Sequence, residues 1–314
     1  MRDLSPEAVA RLVYFEGAFA FDLKPVRVET GAGNLEAEIF WPQQSVQLAE
    51  DAWRLEDWQA EAKPIFLGMA QDIMSVYPEG GTKGEAVLRS GALRRTVARR
   101  RAAEMPAPSH LRSGFGAEAV REVRNTRNHV GFFSAETISF RFQRFDGSFS
   151  ERVEREVFVT GDAVSVLPWD PKRDLVLLIE QVRAGAIMRG DPNPWGLEAI
   201  AGLLDRDESA EEAARREAEE EAGLTLGRME EVGRYYSSPG ALTEHMTSFL
   251  AEADLGSAGG IHGLASEAED IRNMVVPFEA AVATLDTGEA GNGPLVISLM
   301  ALSLRRERLL REWG

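Results

Sequence analysis

The chain of 314 residues contains no cysteine, which excludes disulfides, thiolate nucleophiles and cysteine-ligated zinc. Histidine is scarce. His110, His129, His245 and His262 are scattered, and no HExxH pair exists to form a helical zinc site. Basic residues are outnumbered, 35 Lys and Arg against 51 Asp and Glu, leaving a formal charge of -16. A nucleic-acid partner wants the opposite, a basic footprint. No apolar run approaches membrane-span length, and the opening MRDLSPEAVARL lacks the apolar core of a signal peptide. These absences predict a cytoplasmic protein with neither nucleic acid nor membrane as partner. The 44% of hydrophobic residues suffices for one large or two modest domains.

What the chain does have is concentrated in GLLDRDESAEEAARREAEEEAGL, from Gly202 to Leu224. Ser209-Ala210-Glu211-Glu212 reads as a capping box, with the serine capping the first turn and Glu212 reaching back. Alanines at 210, 213, 214, 218 and 222 favour helix and allow close packing. Gly223 fits a left-handed residue just past the helix end. On that helix Glu217, Glu220 and Glu221 stand at i, i+3 and i+4, so their carboxylates share a face. Three crowded like charges call for a cation, and a hard divalent ion with oxygen ligands, Mg²⁺ or Mn²⁺, is the natural guest. Arg216 is placed to pair with Glu208. A Glu-rich run is ordinarily a solvated face, yet such helices intersperse lysine, and this one has none.

Elsewhere the texture changes twice. Residues 1–105 hold a strand-like, aromatic-rich section and then helical stretches, and Met105-Pro106-Ala107-Pro108-Ser109 breaks helix. Beyond it, alternation predicts strands at Ile138–Phe142 and Glu156–Val159, with a hairpin turn at Asp146-Gly147. Buried strands are predicted at Ala163–Leu167 and Leu175–Glu180, further strands near 228–237 and 246–254, and a final helix from about Pro294 to Trp313. The basic cluster Arg94-Arg95 and Arg99-Arg100-Arg101 is expected to be solvated or paired with carboxylates. Trp53 and Trp58 are expected to be packing anchors.

The Gly202–Leu224 pattern, with Gly202, Glu208, Arg216-Glu217, Glu220-Glu221 and Gly223 in place, resembles the Nudix box of divalent-metal hydrolases that split nucleoside diphosphates linked to another group. From about Gly131 onward the chain is similar to ADP-ribose pyrophosphatases, through VGFFSAETISFRFQRFDGSFS, EREVFVTGDAVSVLPWDPKRDLVLLIEQVR, YYSSPG and IHGLASEAEDI. The resemblance implies a Nudix α/β/α sandwich hydrolysing ADP-ribose to AMP and ribose 5-phosphate. It implies Glu217 and Glu221 as metal ligands, joined by Glu220 and the carbonyl of Ala201, with Arg216 supporting them. The general base falls on a late loop, at Glu267, with Glu269 as the alternative. For the substrate it implies Phe132 and Arg155 at adenine, Arg183 at the diphosphate, Glu244 at a ribose hydroxyl, and Pro239 at the subfamily's marker position. It also implies a homodimer with shared active sites, in which Phe132 or Arg155 acts in trans. A Nudix hydrolase of another substrate, such as a nucleotide sugar, and a non-catalytic ADP-ribose-binding sensor are the alternatives.

The whole chain further resembles TrgB-like tellurite-resistance proteins, which suggests involvement in tellurite resistance. In LSPEAVARLVYFEGAFAFDLKPVRV it is similar to the second half of a γ-glutamylcyclotransferase-like fold whose first part, with its substrate loop, is missing. Without that loop, Glu16 is not expected to be catalytic. The expected organisation is a partial α+β domain at 1–105, a linker at 106–130 and the Nudix domain at 131–314.

Overall fold

The computed structural model describes residues 4–31, 33–43, 53–77, 86–264 and 268–314. They form two compact units, Met1–Gly161 with Gly240–Thr243, and Asp162–Pro239 with Glu244–Gly314.

In the first unit, helix α1 (Pro6–Gly17) starts where the Ser5 hydroxyl accepts the amide of Ala8 at 3.2 Å. Strands β1 (Phe21–Thr30) and β2 (Gly33–Pro42) make an antiparallel ribbon. The short α2 (Leu55–Asp57) runs through a π-turn, Trp58–Ala62, into α3 (Lys63–Met74), and α4 (Ala86–Glu104) follows. Tyr14, Phe15, Ile65, Met69, Ile73, Leu88, Ala92 and Val97 interlock as their apolar core. Trp58 packs edge-on against Phe66 as an anchor should, whereas Trp53 is 71% exposed and anchors nothing.

Strands β3 (Val120–Val130), β4 (Ser134–Phe142) and β5 (Val153–Val159) complete this unit as an antiparallel sheet. Residues 120–130, expected to be linker, are therefore strand. Arg95, buried on α4, explains how the helices hold this sheet. It donates to Asp72 on α3 at 2.9 Å and to the carbonyls of Gly131 and Phe132 at 3.2 and 2.9 Å. Arg127 of β3 reaches the other Asp72 oxygen at 2.7 Å, and Arg99 and Asn125 bind Glu136 of β4. The arginine cluster is thus largely paired, as its setting among carboxylates suggested.

The second unit is a mixed sheet with helices on both faces. Its strands are β6 (Ala163–Asp170), β7 (Leu175–Val182), β8 (Trp195–Glu198), β9 (Ile200–Leu203), β10 (Met229–Tyr236), β11 (His245–Glu252), β12 (Gly260–His262) and β13 (Ile271–Pro277). The order is β10-β11-β6-β7-β13-β12, with β9 added to β6 and β8 to β7. Its helices are α5 (Ala184–Arg189), α6 (Ala210–Ala222), α7 (Phe278–Thr287) and α8 (Gly293–Trp313). Alternation along the strands sorts the layers. Val164, Val166, Leu177, Ile179, Phe249 and Ala251 pack with α6. Leu167, Trp169, Val176, Leu178 and Leu250 pack with α7 and α8. The result is the α/β/α sandwich that the sequence implied.

Helix α6 is closed at both ends by its own sequence. The Ser209 hydroxyl accepts the Glu212 amide at 3.2 Å, and the Glu212 carboxylate accepts the Ser209 amide at 2.8 Å. Gly223 ends the helix at φ 62. Ala213, Ala214, Ala218 and Ala222 line its buried stripe, and Glu221 is the one charged residue on it. Ser209→Ala is expected to cost about 1 kcal/mol, read as a lower denaturation midpoint without a change in slope.

Candidate active site

The sheet forks beside α6. Strands β6 and β7 pair only at Trp169↔Val176 and Asp170↔Leu175. Further out they separate, and β9 continues along β6 while β8 continues along β7. The fork brings the backbone of Ala201 and Gly202 against the helix. The Ala201 amide donates to the Glu221 carboxylate at 3.2 Å. A Cβ on Gly202 would fall 1.8 Å from a Glu217 oxygen, so only glycine leaves that carboxylate its place. Gly202→Ala is expected to displace Glu217 and lower divalent-cation affinity at least about tenfold, measured by calorimetric titration.

Arg216 organises the other side of the site. It donates to Glu208 at 2.8 and 3.1 Å, to Glu217 at 2.8 Å, to Glu220 at 3.0 Å and to the Leu203 carbonyl at 3.3 Å. The pairing with Glu208 is the one the sequence suggested. Glu220, grouped with Glu217 and Glu221 by helical spacing, shares one Arg216 nitrogen with Glu217. Among the described residues no three or more His, Asp or Glu side chains are arranged to enclose a cation.

Glu217 and Glu221 nevertheless sit in an environment that wants one. Burial first, and the charge of Glu217 after it, push Glu221 up to about 8 against the pull of the Ala201 amide. Burial likewise pushes Glu217 up to about 6, with Arg216 opposing it. Glu269 lies close enough for its charge to act on Glu217, Glu221 and Arg183, while its carboxylate accepts the Leu264 amide at 3.1 Å. Two hard-oxygen donors, Glu221 buried and Glu217 half-buried and cleared by Gly202, fit a hard divalent ion.

A cavity of about 680 Å³ opens next to Ala201, Gly202 and Leu203. Arg183 and Glu198 line it as a fork-to-fork pair, Nε and Nη2 donating at 2.9 and 2.5 Å. Glu244 lines it too, accepting from the Ser237 hydroxyl at 2.6 Å. Tyr235, anchored to Ser248 at 2.9 Å, and Asn292 at the start of α8 complete the polar wall.

Pro239 is exposed in the turn after β10 and does not line the cavity. Phe132 and Arg155 belong to the first unit and the box helix to the second. There, Phe132 packs edge-on against Phe133 with Arg94 over its ring, and the exposed Arg155 donates to the Glu154 carbonyl. Glu267 lies outside the described residues. Glu198, Tyr235, Ser237 and Asn292 escaped the sequence reading. Only Glu198 left a signal, as a lone acid inside the apolar run of WGLEAIAG.

Comparison with known proteins agrees with this geometry. A NUDIX domain model matches residues 159–298. The ADP-ribose pyrophosphatase of Escherichia coli is 42% identical over 207 residues, covering 66% of this chain and 99% of that protein. The ADP-ribose pyrophosphatase of Haemophilus influenzae is 40% identical over 187 residues, with 59% and 86% covered. A GDP-mannose pyrophosphatase of an Enterobacter species is 34% identical over 176 residues, with 55% and 89% covered. With a glutamate-lined helix set against a glycine strand, and near-complete coverage of a relative at this identity, the chain belongs to the Nudix family of hydrolases.

Proposed function

We propose that this chain hydrolyses ADP-ribose at its diphosphate, giving AMP and ribose 5-phosphate, with Mg²⁺ or Mn²⁺ as cofactor. The observation that carries the reading is the juxtaposition of Glu217, Glu221 and Gly202 with the Arg183–Glu198 cavity, in a chain that spans a whole ADP-ribose pyrophosphatase.

In this reading Glu217 and Glu221 hold the metal, with Glu220 and the Ala201 carbonyl as further donors. Held there, an ion would supply charge neutralisation at the diphosphate and polarisation of the attacked phosphorus. Arg216 keeps Glu217 ionised and oriented. Arg183, fixed by Glu198, presents its guanidinium to the diphosphate, and Glu244 accepts from a ribose hydroxyl. Water adds to one phosphorus, the bridging P–O bond breaks, and a carboxylate takes the proton. Glu267 is the proposed base and Glu269 the alternative. Glutamine at the true base lowers kcat at least about a hundredfold, while the other variant stays near wild type.

The similarity to a GDP-mannose pyrophosphatase favours a nucleotide sugar as the second reading. Comparing kcat/KM for ADP-ribose and GDP-mannose decides between them, and a value for GDP-mannose equal or higher overturns the first. We further place Phe132 and Arg155 at adenine across a homodimer, in the cytoplasm. Sedimentation of a monomer at assay concentration would count against the shared site. For the N-terminal region we propose a structural or interactive role, and for the whole chain a part in tellurite resistance. Growth of a deletion strain on tellurite tests the latter.

A further inference from the structure

Two buried amides of the second unit remain without partners. Gln181 on β7 is 6% exposed and Asn273 on β13 is 5% exposed. Among the described residues, the Gln181 Nε2 and both Asn273 side-chain heteroatoms have no hydrogen-bond partner. Buried amides left this way are costly, and each requires a partner or a cause. Strand alternation puts both on the face packed by α6, because Leu177 and Ile179 precede Gln181 there and Ile271 precedes Asn273. Asn273 stands opposite Ile179. The two amides are therefore diagonal neighbours on one sheet face.

Each also faces a glycine on its other side. Gln181 is opposite Gly196 and Asn273 is opposite Gly260. A Cβ on Gly196 would meet only a Glu198 oxygen, at 3.7 Å, and one on Gly260 only His262, also at 3.7 Å. Open space therefore lies over the two glycines that face these amides, bordered at Gly196 by the carboxylate that grips Arg183 and reached by solvent at the exposed Gly260. A polar gap with donors, acceptors and room is where a folded protein keeps ordered water.

We propose that Gln181 and Asn273 bind a short file of ordered water beneath α6, and that they act through it as positioning residues. At one end the water fixes the Glu198–Arg183 fork. At the other it fixes the root of the loop that carries Glu269. The catalytic consequence rests on the hydrolase reading above, but the water itself does not.

Two experiments on the full chain test it. A high-resolution crystal structure should show water within hydrogen-bond distance of Gln181 Nε2 and of the Asn273 amide, and a dry gap overturns the proposal. In the second, Gln181→Leu and Asn273→Leu should keep or raise the melting temperature while lowering kcat for ADP-ribose roughly 10- to 100-fold, with KM little changed. Asn273→Ser, which leaves room for one more water, should recover much of that loss. A loss of stability with unchanged kcat reveals a merely structural pair and overturns the positioning role. If the wild type turns over no ADP-ribose, the hydrolase reading fails, and the crystallographic result still decides whether the water is bound.

Discussion

Replacing Glu221 with glutamine is expected to remove turnover while stabilising the metal-free fold at alkaline pH. Both effects follow from the place of this carboxyl on the buried stripe of α6, beside Glu217. An unfolded glutamate titrates near 4.5 and folded Glu221 near 8. Between those values the native state holds a proton that the unfolded chain has released. Stability therefore falls as pH rises across this window and stays low above it. The full gap corresponds to about 4–5 kcal/mol. Glu217, raised to about 6, adds a smaller loss over the lower part of the same window. A divalent ion bound by the native state alone reverses the trend. In chelator, the wild-type denaturation midpoint should drop between pH 5.5 and 8.5, and Mg²⁺ should restore it at the higher pH. Glu221→Gln should flatten the pH dependence and lose most of the response to Mg²⁺. A wild-type midpoint in chelator that does not move with pH contradicts the assignment.

Asp72→Ala should be the most damaging single change in the first unit. Asp72 and Arg95 have side chains 1% and 0% exposed, and Arg127 shares the same carboxylate at 2.7 Å. Removing the anion leaves a buried guanidinium uncompensated, at a cost of about 3–5 kcal/mol. In a unit of this size the melting temperature should fall by roughly 10 °C. The double change Asp72→Leu with Arg95→Met removes both charges and should recover much of the loss, because an apolar pair of similar volume needs no partner. Equal destabilisation by the single and double variants would show that packing, not charge, holds this junction. The measurement is differential scanning calorimetry of the full chain.

The two networks differ in how legible they were. The caps of α6 join residues three apart, so helical geometry gave them, and the Arg216–Glu208 pairing joins opposite charges within one short motif. The strands β6 and β7 announced themselves as apolar runs because both faces of the sheet are covered by helices. Strand β3 did not. Its residues are almost all exposed, no apolar alternation marks them, and its register shifts twice. A strand polar on both faces reads as linker.

Long-range pairings were also out of reach. Arg183 meets Glu198 only because β7 and β8 pair in one register, and Asp72 meets Arg95 only because α3 packs on α4. Glu220 keeps the place beside Glu217 that helical spacing gave it, and one Arg216 nitrogen donates to both carboxylates, a detail the spacing alone did not show.

Whether the carboxylates of α6 serve hydrolysis is decided by product analysis with ADP-ribose and Mg²⁺, wild type beside Glu221→Gln. AMP and ribose 5-phosphate are expected from the wild type, and a rate at least about a hundredfold lower from the variant. Tight ADP-ribose binding without products from the wild type, or undiminished turnover by Glu221→Gln, would contradict that role.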